Sequence, residues 1–187
     1  MRADAPATVP HPHAQQHPHP HLYVHPVRPA PPARPGPLAA LHTISAATAV
    51  LLGLVAIGAM IHEPVLIPPL AASAALVHSV PTLPLAQPRG VVVGHFLGAV
   101  TGYGVLAAAG SSGWAAAVAA GITLAVLMLA RTPHSPAVAT SVIVVLQTPE
   151  PSRFVPLLLR ATLLLVGAGY AASRVRPKAP RYPAYWW

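Results

Sequence analysis

Two short stretches of the sequence place a proline, small residues and a hydroxyl group inside apolar surroundings. The stretch PLAASA (69–74) begins at Pro69 and contains Ser73, and the stretch PAVATS (136–141) begins at Pro136 and contains Thr140. Proline is favoured in the first turn of a helix, where its missing N–H costs nothing. A helix start carries roughly half a positive charge, and small residues leave its N–H groups within reach of an anion. The pattern predicts two helix starts suited to anion binding.

Further polar residues accompany the two stretches. A histidine inside an apolar span is costly unless it faces the bundle interior or a cavity, and positive charge beside a helix start favours an anion. We therefore predict one substrate-binding set from both stretches and their neighbours. Its members are Pro69, Ser73, Arg89, His95, His134, Ser135, Pro136, Thr140 and Ser141. Two other interpretations stay open. Arg89 could serve only as a topology determinant, and the hydroxyls could simply bond to the carbonyl four residues earlier.

The composition places the whole chain in a membrane. The sequence is 54% hydrophobic and 7% charged, with a mean hydropathy of +0.57, whereas soluble domains have about 25% charged residues. The net charge of +8 comes from residues in tails and loops. In a membrane protein such charges indicate orientation and contact with anionic lipid, and we expect no nucleic-acid partner. The absence of cysteine excludes disulfides and thiolate metal sites.

Six apolar segments follow one another, at 41–61, 65–80, 91–109, 114–130, 133–146 and 154–172. Their order is long, short, long, and then long, short, long. The two proline stretches lie in the short segments and align at an offset of 67 residues. We predict an all-α polytopic membrane protein with six hydrophobic helical segments, two of them short and interrupted by proline, arranged as a 3+3 inverted repeat. The alternative has four full spans and two re-entrant segments.

The domain organisation follows from composition. Residues 1–37 are rich in proline and histidine and are predicted to be a disordered cytoplasmic tail. Residues 38–175 form the transmembrane domain. Residues 176–187 form a basic and aromatic tail, whose end is expected either at the level of the lipid headgroups or free. The histidines of the first tail could bind Zn²⁺ or Ni²⁺ loosely, but a solvated low-complexity tail is the simpler interpretation. No cofactor and no metal site are predicted.

The distribution of charge orients the six segments. Arg89 and Arg131 fall on the same side as both tails, whereas Glu63 and Glu150 fall on the other side. The positive-inside rule then predicts a multi-pass protein of the cell membrane with both termini in the cytoplasm.

Glycines at 94, 98 and 102 recur every four residues and lie on one face of a helix. Such a face allows a neighbouring helix to approach closely. We interpret these glycines as packing residues.

Two stretches carry a family resemblance. The residues PPLAASAALVHSVPTLPLAQPRGVVVGHFLGAVTG (68–102) and MLARTPHSPAVATSV (128–142) resemble the HPP family of integral membrane proteins, over residues 41–173. That family is named for a His-Pro-Pro motif, which here reads His134-Ser135-Pro136, so the histidine and the helix-starting proline are retained. Photosynthetic members have been linked to nitrite transport, and the resemblance therefore implies a transporter or channel for a small monovalent anion.

An enzyme is not expected. The only acidic residues are Asp4, Glu63 and Glu150, and no hydrolase, metalloprotease or nucleotide-binding fingerprint is present. The expected partners are the lipid bilayer and a small inorganic anion, with a homo-oligomer left open. Two other functions also remain open. One is a metal- or proton-linked membrane protein, and the other is a scaffold subunit without transport activity.

Overall fold

Six α-helices account for most of the structure. The computed structural model describes residues 33–175 and 180–186, and these ranges contain no β-strand. The prediction of an all-α protein with six helical segments is confirmed. The predicted disordered tail at 1–37 lies almost entirely outside the described residues. The helices are α1 (Pro37–Ile61), α2 (Pro68–Ser79), α3 (Pro88–Ala109), α4 (Gly113–Leu129), α5 (Ser135–Gln147) and α6 (Pro151–Val175), and a 3₁₀ turn, Pro84–Ala86, precedes α3.

The helix lengths follow the predicted alternation of long and short segments. In chain order they are 25, 12, 22, 17, 13 and 25 residues. Three helices, α1, α3 and α6, are long and apolar enough to cross a membrane by length and composition. The fourth helix is about 25 Å long at ~1.5 Å per residue, somewhat less than the ~30 Å hydrocarbon core of a bilayer. Helices α2 and α5 are shorter than α4, so each lies within the thickness of the bundle.

Proline determines where most of the helices begin. A proline occupies the first or second position of α1, α2, α3 and α5, because the missing N–H is no loss there. Helix α4 instead begins at a cap, in which Ser112 Oγ accepts a hydrogen bond from the Ala115 N–H. Since α3 begins at Pro88, Arg89 lies in its first turn. The helix thus begins three residues before the predicted segment at 91–109.

The two ends of the bundle differ in charge. At one end, His42 Nε2 donates to the Ala172 carbonyl, which joins the start of α1 to the end of α6. At the other end, Arg153 forms an ion pair of 2.9 Å with Glu63. We name the first end, with Arg89, Arg131 and Arg174, the basic face. The second end, which carries Glu63 and Glu150, is named the acidic face.

The predicted glycine face packs α3 against α5, which runs parallel to it. A Cβ atom at Gly94 would lie 3.1 Å from the His134 Cβ, and one at Gly102 would lie 2.8 Å from the Val144 Cβ. A Cβ atom at Gly98 would collide with the Ala137 carbonyl oxygen. Larger residues would therefore force the two helices apart, and the interpretation of these glycines as packing residues is confirmed.

A tight turn joins α4 to α5. The Thr132 N–H bonds to the Leu127 carbonyl, the Arg131 N–H bonds to the Met128 carbonyl, and Arg131 has a φ of +53°. These two bonds and the left-handed residue form a Schellman motif, which ends a helix by satisfying its last carbonyls. The turn leads directly into His134, whose extended backbone caps α5.

The C-terminal residues 180–186 form a strap on the basic face. Tyr182 is 1% exposed and packs against the backbone of Gly169 and the side chain of Val77. The Gln87 side-chain carbonyl accepts a hydrogen bond of 3.0 Å from the Ala184 N–H. Tyr182 is thus packed onto the bundle and is not part of a free end, whereas Tyr185 and Trp186 are exposed.

Candidate functional site

Four polar side chains meet in the interior of the bundle. They are Ser73 of α2, His95 of α3, His134 at the start of α5, and Thr140 of α5. Each of them is at most 1% exposed. We name this group the His–Ser cluster. Both short helices contribute to it, and all four residues belong to the predicted substrate-binding set.

The cluster is a continuous hydrogen-bonded chain. Ser73 Oγ lies 2.8 Å from His95 Nε2 and 2.8 Å from His134 Nε2. On the far side of the first ring, His95 Nδ1 lies 2.7 Å from Thr140 Oγ1. His95 therefore bridges the two hydroxyls that align at the same position of the two proline stretches. The two Nε2 atoms are 3.3 Å apart, and the imidazole rings meet edge to face at 69°.

A backbone carbonyl determines the tautomer of His134. His134 Nδ1 lies 2.7 Å from the Leu85 carbonyl oxygen, which can only accept, so Nδ1 carries the proton. In the neutral ring, Nε2 is then a bare acceptor that faces Ser73. Leu85 belongs to the 3₁₀ turn before α3. Sequence reasoning missed this contact, because an apolar side chain gives no indication of the role of its carbonyl.

Local structure explains how the chain brings the cluster together. Ser73 lies one turn beyond Pro69, and its hydroxyl is 3.0 Å from the Pro69 carbonyl. The carbonyl four residues earlier, left open above as a partner, is therefore within hydrogen-bond distance of the Ser73 hydroxyl, as His134 Nε2 also is. Gly94 allows His134 to come close to α3 beside His95.

The two helix starts do not converge, although the hydroxyls near them do. Ile67, just before α2, lines a cavity at the acidic face, whereas Ser135 lines a groove with Arg131 at the basic face. Helices α2 and α5 run antiparallel, so the middle of α2 lies beside the start of α5, while the two starts point to opposite ends. The sequence pattern alone does not distinguish an arrangement in which the two helix starts converge from one in which only the hydroxyls near them do.

The other predicted site residues lie around the cluster. Pro136 is buried in the first turn of α5, and Ser135 is exposed in the groove. The Ser141 hydroxyl donates to the Val138 carbonyl of its own helix. Arg89 reaches the Ala130 carbonyl at 2.9 Å and thereby ties α3 to the end of α4. None of these four side chains has a hydrogen bond to a member of the cluster in the described ranges.

Two openings approach the cluster from opposite ends. A groove of about 500 Å³ at the basic face is lined by Leu85, Arg131, His134 and Ser135. A cavity of about 230 Å³ at the acidic face is lined by Glu63, Glu150 and Arg153, and also by Leu70 and Leu158. Leu70, three residues before Ser73, and Leu158 are both buried. Both leucines line the acidic cavity and no member of the cluster does, whereas His134 itself borders the basic groove.

The two carboxylates of the described residues lie away from the His–Ser cluster. The acidic residues Glu63 and Glu150 lie at the acidic face, where a hydrogen bond from the Ser152 side chain lowers the pKa of the Glu150 carboxyl. Within residues 33–175 and 180–186, no group of three or more His, Cys, Asp or Glu residues could hold a metal ion. The predicted loose binding of metal by tail histidines concerns residues outside those ranges.

An apolar six-helix bundle with a buried polar cluster defines a polytopic integral membrane protein. A family model described as HPP, transmembrane region, matches residues 31–183. The chain therefore belongs to the HPP family of transmembrane proteins, as the resemblance implied.

Two relatives come from Dictyostelium discoideum, and each is named only as a transmembrane protein. The first is 36% identical over 132 residues, which covers 66% of this chain and 46% of the relative. The second is 30% identical over 126 residues, which covers 63% of this chain and 40% of the relative. The matched region thus spans less than half the length of each relative. No solved structure matches the chain.

Proposed function

We propose that this HPP-family protein carries a small monovalent anion such as nitrite across the membrane, with the His–Ser cluster as its binding site. The observation that supports the proposal is the burial of two hydroxyls and two imidazoles, from α2, α3 and α5, in direct contact inside an apolar bundle. Polar groups in a membrane interior are expensive and commonly mark a transport pathway.

The chemistry of the cluster favours an anion over a metal cation. Hard cations require several oxygen ligands, preferably carboxylates, and Glu63 and Glu150 both lie away from the cluster at the acidic face. Hydroxyl and imidazole N–H groups are donors that suit a small oxyanion. Because the cluster atoms are in mutual contact, only an ion of a few atoms would fit by displacing one of these contacts.

The two openings suggest a route for the ion. Arg131 is exposed in the basic groove and would attract an anion toward His134. At the other end, we take the buried Leu70 and Leu158, which line the acidic cavity, as the barrier between that cavity and the cluster. Transport would require these leucines to part, as expected of a carrier whose site opens to one side at a time. On this account the anion reaches the site more readily from the basic face.

We assign the basic face to the cytoplasm of a cell-membrane protein, because Arg89, Arg131 and Arg174 lie there and positive residues favour the cytoplasmic side. Both termini would then be cytoplasmic. In this role the protein performs no covalent chemistry and binds no nucleic acid. It acts in the bilayer, either alone or as a homo-oligomer.

The test is uptake of nitrite into liposomes that contain the purified protein, at high pH to limit passive leak of nitrous acid. Empty liposomes give the background, and nitrate, formate and chloride serve as competitors. We expect saturable, protein-dependent flux that competing anions reduce. Flux no higher than in empty liposomes would overturn the proposal and favour the scaffold function.

A matched pair of histidine variants connects the flux to the cluster. His95→Asn removes the ring that bridges Ser73 and Thr140, and we expect at least a tenfold loss of flux. His62→Asn changes an exposed histidine after α1 that has a positive φ, a conformation that asparagine tolerates. This control should transport at the wild-type rate. Equal rates in both variants would remove the cluster from the pathway.

A further inference from the structure

The hydrogen-bonding pattern of the His–Ser cluster limits how many protons it can hold. Three atoms form a triangle: Ser73 Oγ, His95 Nε2 and His134 Nε2, with edges of 2.8, 2.8 and 3.3 Å. When both rings are neutral, His134 has its proton on Nδ1, opposite the Leu85 carbonyl. The Ser73 hydroxyl can then donate to His134 Nε2. His95 Nε2–H in turn donates to Ser73 Oγ, and the Thr140 hydroxyl donates to His95 Nδ1. Every member has a partner in this neutral state.

One additional proton also fits without any movement of the non-hydrogen atoms. A proton added to His134 Nε2 turns that atom into a donor, and Ser73 Oγ accepts it on a second lone pair. The Ser73 hydroxyl then turns to the Pro69 carbonyl, which lies 3.0 Å away. The Pro69 carbonyl is thus an alternative acceptor that lets the serine reverse its role. A second additional proton is disfavoured, because two imidazolium rings would face each other with nitrogens 3.3 Å apart.

The singly protonated cluster carries a positive charge, and no carboxylate of residues 33–175 and 180–186 lies beside it to act as a counter-ion. The charged and titratable groups on the surrounding elements are all engaged or placed elsewhere. His78 of α2 lines a separate cavity near His42. Tyr103 of α3 donates to the Pro149 carbonyl, and Arg89 of α3 reaches the end of α4. Arg131 lies exposed in the basic groove, and Arg160 of α6 lies exposed in a groove against α1. None of them is a carboxylate. A buried charge of this kind is stable only with an opposite charge beside it.

We infer, resting on the proposed function, that the protein carries its anion together with one proton, which His134 Nε2 accepts next to His95 and Ser73. The anion supplies the missing negative charge, and the proton supplies an additional donor to hold the anion. By linkage, each ligand raises the affinity for the other. On release, the proton leaves Nε2 for water with the anion, and the cluster returns to its neutral state. Each cycle moves no net charge.

The test measures whether protein-dependent nitrite uptake responds to membrane voltage. Liposomes are given equal pH on both sides, and a potassium gradient with valinomycin sets the potential to zero or inside-negative. For an uncoupled anion, an inside-negative potential of ~60 mV lowers the inside-to-outside concentration ratio at equilibrium about tenfold. A proton-coupled anion is indifferent to the potential. We expect equal initial rates at both potentials after subtraction of empty liposomes, and an internal pH dye should report about one proton per nitrite.

The outcomes separate the two proposals. Uptake that an inside-negative potential slows severalfold, without internal acidification above background, would overturn the coupling and leave anion transport standing. No protein-dependent uptake at either potential would overturn the proposed function and the coupling with it. His62→Asn should behave as wild type in both readouts.

Discussion

Ser73 Oγ lies 2.8 Å from His134 Nε2, although 61 residues separate the two positions in the chain. The contact exists because the short helices α2 and α5 run antiparallel and the start of α5 lies beside the middle of α2. The same oxygen contacts His95 of α3, so one hydroxyl joins three elements of the bundle. A membrane protein rarely buries such a group without using it, because its hydrogen-bonding needs are costly in an apolar interior.

Gly98→Ala tests the close packing of α3 against α5. The new methyl group would collide with the Ala137 carbonyl, and overpacking of this kind typically costs ~1–3 kcal/mol. We expect a lower midpoint of thermal unfolding in detergent and a loss of flux, because the shift displaces His95 relative to Thr140. Gly104→Ala is the control, since no atom lies within 4 Å of its Cβ position. In a helix that change is neutral or stabilising by up to ~1 kcal/mol. Equal midpoints for the two variants would contradict the packing described here.

Arg131→Gly separates the turn between α4 and α5 from the charge in the basic groove. Arg131 has a φ of +53°, which glycine adopts at less cost by about 1 kcal/mol. The variant should therefore unfold at an equal or higher temperature. Removing the exposed charge should weaken anion uptake severalfold at low salt and less at high salt. Arg131→Lys, which keeps the charge, should retain uptake. A variant that is both less stable and unaffected in uptake would contradict both statements.

Tyr182 tests whether the C-terminal strap contributes to the fold. Tyr182→Ala removes a ring that is 1% exposed, and loss of a buried aromatic side chain typically costs ~3–5 kcal/mol. We expect a clear fall in the unfolding midpoint, whereas Tyr185→Ala, at an exposed position, should have little effect.

The Tyr182 hydroxyl allows a sharper comparison. Its oxygen is buried and has no hydrogen-bond partner among the residues that the structure describes. A buried hydroxyl without a partner is unfavourable, so Tyr182→Phe should be neutral or stabilising. A midpoint as low as that of Tyr182→Ala would show that the hydroxyl has a partner outside the described part of the chain.

The sequence allowed the elements and the four side chains of the His–Ser cluster to be predicted. Two helix starts followed from proline, because a residue without an N–H is favoured in the first turn, as at Pro69 and Pro136. The alignment of Ser73 with Thr140 identified two hydroxyls that both contact His95. In contrast, the Leu85 carbonyl and the Gln87 contact with the strap depend on how distant segments pack. No local pattern of residue types encodes those contacts.

The measurement that tests the central claim most directly is nitrite flux through the double variant Ser73→Val and Thr140→Val. Its control is the double variant Ser79→Val and Thr123→Val, whose hydroxyls bond only to carbonyls of their own helices. Both double variants lose two hydroxyls, but only the first loses contacts to the histidines. Insertion and unfolding midpoint are checked for each. The account predicts that the cluster variant retains less than a tenth of the flux while the control transports as the wild type does. Wild-type flux through the cluster variant would contradict the assignment of Ser73, His95, His134 and Thr140 as the anion site.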